Sequence, residues 1–207
     1  DVAIGTPPRL HLLRDYYLKS GMMNRWVADD ILQWYDAYDR FLKEKGFDKA
    51  FPTVDDLTRS MGNVSFYYQG RIIENIRISN TVDAYAVNGW ESMKLENHSG
   101  IVDNYRFPKG DPEVMARYNA PLYLAVKMNR KVVSTGDTTL VDTYIVNEKN
   151  LKGSYILNLV AKDESGNVVA SHKERVTVKG GNNYGQCLQS GWAFIPKSKG
   201  YTRIEAS

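Results

Sequence analysis

The stretch "VDAYAVNGWESMKLENHSGIVDNYR", Val82–Arg106, decides how the chain is read. It opens on Val, Tyr and Ala, the composition of a strand. At Asn88-Gly89 the apolar run stops. Trp, Glu, Asn, His and Asp then crowd a segment without periodicity, which reads as a loop. Costly polar and aromatic residues thus gather at the end of a predicted strand.

Upstream, Ile31, Trp34/Tyr35, Tyr38 and Phe41/Leu42 recur at three-to-four spacing, which predicts a helix over 28–45. Asp29 and Asp30 in its first turn suit the helix dipole, and Gly46 supplies a left-handed C-cap. A second helix begins at "TVDD", with Thr53 as N-cap and Asp56 three residues on. Leu57, Met61, Val64, Tyr68, Ile72 and Ile76 mark its apolar face. Gly62 and Gly70 each weaken it by about 1 kcal/mol relative to Ala, so tertiary packing must support it. Before these helices, "DVAIG" reads as a short buried strand that "TPP" ends.

Downstream the character changes. Pro and Gly punctuate a connector at 107–121 that includes a short helical turn. Strand candidates follow at 122–128, 139–147, 153–162, 168–178, 186–195 and 201–206. "KDESGNVV" reads as a hairpin turn, with Gly166-Asn167 supplying positive φ. The section from Asn119 on approaches the ~100 residues of an immunoglobulin-like module.

Composition bounds the function. With 43% hydrophobic and 25% charged residues the chain is an ordinary globular protein rather than a disordered one. A net charge of +3 with mixed signs and no basic run argues against a nucleic-acid partner. No apolar run approaches the ~20 residues of a membrane span. A single cysteine, Cys187, excludes an internal disulfide and a Cys-based metal site. His11, His98 and His172 lack metal-ligand spacing. No phosphate loop, dinucleotide glycine pattern or nucleophile elbow is present, so no metal and no cofactor is implied. The 14 Tyr and 4 Trp suit either a sugar-binding cleft or a tyrosine-rich core.

The run "VDAYAVNGWESMKLENHSGIVDNYRFPKGDPEVMARYNAPLYLAVK" resembles the last barrel strand of a glycoside hydrolase family 2 enzyme and its exit into the next domain. That family includes β-galactosidases, β-glucuronidases, β-mannosidases and exo-glucosaminidases. The preceding "MGNVSFYYQGRIIENIRISN" resembles the helix before strand eight. "GDTTLVDTYIVNEKNLKGSYILNLVAKDESGNVV" resembles the sandwich after the barrel. The resemblance covers most of the chain from about Thr53. It implies an α/β segment, the last part of a (β/α)8 barrel, at 1–106, a connector at 107–121 and an all-β immunoglobulin-like sandwich at 122–207. It implies a fragment of a larger enzyme that acts on terminal O-glycosidic bonds of an oligosaccharide or glycan. The remainder of the parent chain is then a partner, and a periplasmic or extracellular location is expected.

Active sites of such barrels lie at the C-terminal ends of the strands. The resemblance therefore places Trp90 beneath the sugar ring, with a cis peptide at Trp90–Glu91. Glu91, Asn97 and His98 become substrate contacts at the rim. Glu96 and Asp103 read more simply as parts of a solvated, hydrogen-bonded loop. Retaining glycosidases need two carboxyl groups about 5–5.5 Å apart. In this family both are Glu, on strands four and seven. Strand four lies outside this chain. Reading "DVAIGTP" as strand seven puts Ala3 at the nucleophile position, with Asp1 as an out-of-register substitute. Both catalytic Glu residues are therefore expected outside the chain, and their identity is unknown. Ala3 keeps a second reading open: a non-catalytic carbohydrate-binding or scaffolding relative.

Overall fold

A computed structural model describes residues 6–24, 27–87, 89–91 and 100–207. The chain divides into two compact units. The first takes the chain up to Ile72 together with Tyr85–Asn119, and the second takes Ile73–Ala84 with Ala120–Ser207.

The first unit is helical. Helix α1 spans Leu10–Ser20, α2 Ala28–Glu44, α3 Val54–Ser79 and α4 Pro112–Tyr118, with α3 running on into the second unit. Leu10, Leu13 and Tyr17 recur at i, i+3 and i+7 along α1 and are buried. They form one core with Ala28, Ile31, Leu42 and Val54. Each fully buried Leu contributes roughly 1.5–3 kcal/mol relative to exposure. The sequence reading missed α1, although its spacing and the left-handed Gly21 at its end mark a helix. The strand expected in "DVAIG" lies outside the described residues. Helix α2 follows the predicted span, and Gly46 takes the left-handed conformation at φ 69°. Helix α3 opens on a reciprocal cap. The Asp56 amide donates to Thr53 Oγ1 at 3.2 Å, and the Thr53 amide donates to Asp56 Oδ2 at 3.1 Å.

The predicted apolar face of α3 is not its buried face. Val64, Tyr68 and Ile72 are exposed. The buried stripe runs through Val54, Thr58, Gly62, Ser65/Phe66, Gly70, Ile73 and Arg77. Its period is helical, but much of it is small or polar, which a hydrophobicity count passes over.

The second unit is mainly β. Its strands are β1 Leu122–Met128, β2 Thr139–Asn147, β3 Gly153–Lys162, β4 Val168–Val178, β5 Gly185–Phe194 and β6 Arg203–Ala206. They form two three-stranded antiparallel sheets in the orders β1-β2-β5 and β4-β3-β6. Inward residues of both sheets share one core: Val141, Leu157, Leu159, Ala161, Val176, Trp192 and Phe194. The β3–β4 hairpin turns at Gly166, φ 86°, where Asp163 Oδ1 accepts the Asn167 amide at 2.8 Å.

This architecture corrects the expected fold class. Among the described residues, four α-helices and two small sheets close no barrel. The described residues of the predicted last barrel strand, 82–90, form no ladder, and Val82, Tyr85 and Val87 are exposed. A barrel strand needs a hydrogen-bonded neighbour on each side, and among the described residues this run has none. The β unit has three strands per sheet rather than the seven-stranded immunoglobulin arrangement.

Candidate functional site

The backbone around Trp90 is pinned by a compact turn. The amides of Ile101 and Val102 both donate to the Trp90 carbonyl, at 3.0 and 3.1 Å. Glu91 and Val102 form an isolated parallel bridge, and Val102 and Pro108 an antiparallel one. The Lys109 amide donates to the Ile101 carbonyl at 3.0 Å, closing the turn.

Asp103 organises that turn and is fully buried. Its Oδ1 accepts the amides of Tyr105 at 2.9 Å and Phe107 at 3.0 Å, and its Oδ2 accepts the Arg9 amide at 3.2 Å. Burial pushes the carboxyl above its ordinary range, while these three amides and the charge of Lys109 pull the other way. Lys109 is also fully buried and donates from Nζ to the Thr6 carbonyl at 3.4 Å. The Arg9 guanidinium donates to Asp55 Oδ1 from Nε at 3.1 Å and from Nη2 at 2.8 Å, and to the Pro108 carbonyl at 3.2 Å. Tyr105 meets Tyr17 through a hydroxyl–hydroxyl hydrogen bond. With its oxygens engaged by backbone amides, Asp103 holds the turn shut.

Above this base Trp90 is 59% exposed. Glu91 pairs with the Arg106 guanidinium at 3.2 Å, and Arg106 itself sits at φ 68°. Successive side chains of an extended run diverge. The indole and the Glu91–Arg106 pair therefore offer two separate contacts flanking one backbone: an apolar ring face, and a carboxylate with a guanidinium. The Trp90–Glu91 peptide is trans, which corrects the cis bond expected there. The Glu91 bridge to Val102 is ordinary extended pairing and calls for no isomer change.

Asn97, His98 and Glu96 lie outside the described residues, as does Ala3. Asp103, read from sequence as part of a solvated loop, is hydrogen-bonded but buried. Sequence reasoning missed Arg9, Asp55 and Lys109 altogether. The one legible signal was "DNYRF", because an Asp readily bonds the backbone amide two residues on. Among the described residues no group of three or more His, Cys, Asp or Glu could hold a metal ion. Among them, too, no helix is long and apolar enough to cross a membrane. Neither a protein-family model nor a curated protein matches the chain.

Proposed function

We propose that the chain serves carbohydrate recognition in a glycoside hydrolase related to family 2, acting on terminal O-glycosidic bonds of an oligosaccharide. One observation carries the reading: a 59%-exposed Trp90 on a backbone anchored by the Ile101 and Val102 amides. An exposed indole on a mobile loop would collapse onto the nearest apolar surface. Held open, its face suits the C–H face of a pyranose, and its N–H remains a donor. Glu91 and Arg106 add an acceptor and a donor for hydroxyl groups beside it. The bond-cleaving carboxylate pair is assigned to chain outside this sequence.

The test is a fluorescence titration of the purified chain with neutral mono- and oligosaccharides, beside a Trp90→Ala variant. Saturable quenching that Trp90→Ala abolishes is the expected outcome. Equal sugar affinity in the variant would remove the platform role. Aryl glycosides are expected to show no turnover with this chain alone, and measurable hydrolysis would relocate the catalytic carboxylates into it. A non-catalytic binder is the second reading, favoured by Glu91, the carboxylate beside Trp90, being paired with the Arg106 guanidinium. A parent sequence with no Glu ending an upstream strand would decide for it.

A further inference from the structure

The two sheets of the second unit are closed unequally on their two sides. On one side β4 and β5 lie beside each other, full strands of 11 and 10 residues. On the other side β1 lies beside β6, which has 4 residues against the 10 of β3. β6 pairs with β3 only from Lys162 to Leu159. The pairing ends where Asn158 and Ser207 exchange amide–carbonyl bonds at 2.8 and 3.0 Å. Among the described residues no strand pairs with Gly153–Leu157 on this side.

Two features of this free edge point to a ligand. The first is its backbone. Bonding alternates along an antiparallel strand, and the Asn158–Ser207 pair fixes the phase. Ser154 and Ile156 therefore turn both amide and carbonyl to the open side, a row of donors and acceptors at strand spacing. The second is an apolar crevice of about 230 Å³ beside that row, lined by Leu122, Leu124, Tyr155, Leu157, Val178 and Leu188. Its lining comes from both sheets, so it is sandwich interior that β6 is too short to cover. Leu122 and Tyr155 are each left 39% exposed. A strand satisfies both features at once, because its backbone meets the row and every second side chain enters the crevice. A small apolar molecule would fill the crevice and leave the Ser154 and Ile156 groups as they are.

We propose that this edge binds an extended peptide segment of a partner protein, added as a strand antiparallel to β3 and in line with β6. The added strand continues an interface that β6 already makes, which sets its direction and register. Residues opposite one another in an antiparallel pair share a face of the sheet. The two segment residues opposite Tyr155 and Leu157 therefore point into the crevice and are apolar. Those opposite Ser154 and Ile156 carry the backbone bonds and point outward, so they are polar. A second copy presenting its own β3 is a poorer match. Its Leu157 is 2% exposed, and its Tyr155 hydroxyl donates to its own Lys152 carbonyl at 3.1 Å. It would bring backbone bonds but no free side chain for the crevice. The proposal does not depend on the carbohydrate reading.

The experiment is an amide-resolved NMR titration of the whole chain with a capped seven-residue peptide. The peptide carries lysine at both ends, valine at its third and fifth positions and serine elsewhere. Shifts concentrated at 153–158 and 207, with slowed hydrogen exchange at Ser154 and Ile156, are the expected result. Serine in place of either valine should weaken binding about tenfold, the scale of one buried aliphatic side chain. Ile156→Pro removes an outward amide and no bond to β4, and should abolish binding. Leu122→Ser leaves the edge intact and takes away part of the apolar lining. It should weaken the valine peptide and leave an all-serine version unchanged, which tests the crevice however the proline is tolerated. Valine and serine peptides that bind alike would overturn the proposal, as would an absence of shifts at 153–157. So would a chain that sediments as a dimer and becomes monomeric as Ile156→Pro, because the edge would then join two copies.

Discussion

Gly62 lies directly against the backbone of Lys109. A Cβ added at Gly62 would stand 1.9 Å from the Lys109 carbonyl oxygen. Gly70 likewise leaves room for the Tyr118 ring, where a Cβ would meet Cδ2 at 2.0 Å. Both are helix-interior positions where Ala would gain about 1 kcal/mol of intrinsic propensity. The collision outweighs it, because overpacking costs about 1–3 kcal/mol and here one neighbour is backbone. Gly62→Ala and Gly70→Ala should therefore both lower the urea midpoint. Tyr118→Ala added to Gly70→Ala should show a coupling energy that partly restores it. No such rescue exists at Gly62. An Ala at 62 that raised the midpoint would refute the close approach.

Asp103 should leave a pH signature. Its ordinary value is 3.8, and burial raises it in the folded protein despite the amides of Phe107, Tyr105 and Arg9. A raised folded pKa means that the folded state holds the proton more tightly. The resulting stabilisation is complete below 3.8 and is lost as pH rises through the folded pKa. Asp103→Asn removes this titration. The stability of the natural chain relative to Asp103→Asn should therefore increase as pH is lowered from neutral toward the ordinary carboxylate range. Unfolding midpoints of both chains across that window check it, and a difference independent of pH would refute it. Asp103→Ala, which strands three amides, should cost at least about 2 kcal/mol at any pH.

Asn80 combines backbone and side-chain roles. It sits at φ 55°, its Oδ1 accepts the amides of Tyr184 at 2.9 Å and Gly185 at 3.2 Å, and its Nδ2 donates to the Asn182 carbonyl at 3.2 Å. Asn80→Gly keeps the left-handed backbone and loses these bonds. Asn80→Ala loses them and adds roughly 1–2 kcal/mol of left-handed strain. Thermal midpoints should fall in the order natural chain, Asn80→Gly, Asn80→Ala. A reversal of the two variants would show that the bonds matter and the backbone conformation does not.

The outer side of β3 is only partly paired. Its ladder with β6 ends where Asn158 and Ser207 exchange both amide–carbonyl bonds. By antiparallel alternation the amides of Ser154 and Ile156 face that open side, while Leu157 and Leu159 bond toward β4. An apolar crevice of about 230 Å³, lined by Leu122, Leu124 and Ile156 among others, lies beside it. Hydrogen exchange should be fast at Ser154 and Ile156 and strongly protected at Leu157 and Leu159. Equal protection along the whole strand would mean that another strand covers the edge.

Local signals in the sequence were read well where one element decides them. Strand β2 was legible from "TLVDTYIVN" because alternation is a property of the strand itself. Thr53-Asp56 and Gly46 were legible because caps involve neighbours in sequence. Helix α1 carries a regular spacing at Leu10, Leu13 and Tyr17, but it lacks an acidic first turn and a side-chain N-cap to announce it. The buried face of α3 was misread because Thr58, Gly62, Ser65 and Gly70 carry little hydrophobicity. Gly62 and Gly70 are buried because the Lys109 backbone and the Tyr118 ring approach closely there. The run 82–87 has strand composition but no partner strand, and composition cannot supply one.

The candidate site divides along the same line. Trp90 and Glu91 were singled out from residue type alone, at the point where the apolar run stops. The Asp103 hub is different: it joins Arg9 from 94 positions away to Tyr105 and Phe107, and no spacing rule connects them. What the sequence determined by itself was α2, the cap of α3 and the strands of the second unit, through periods and caps that act over a few residues. The tertiary structure alone decided which helix face is buried, which strands pair and which polar groups meet, because each depends on atoms distant in the chain competing for the same space.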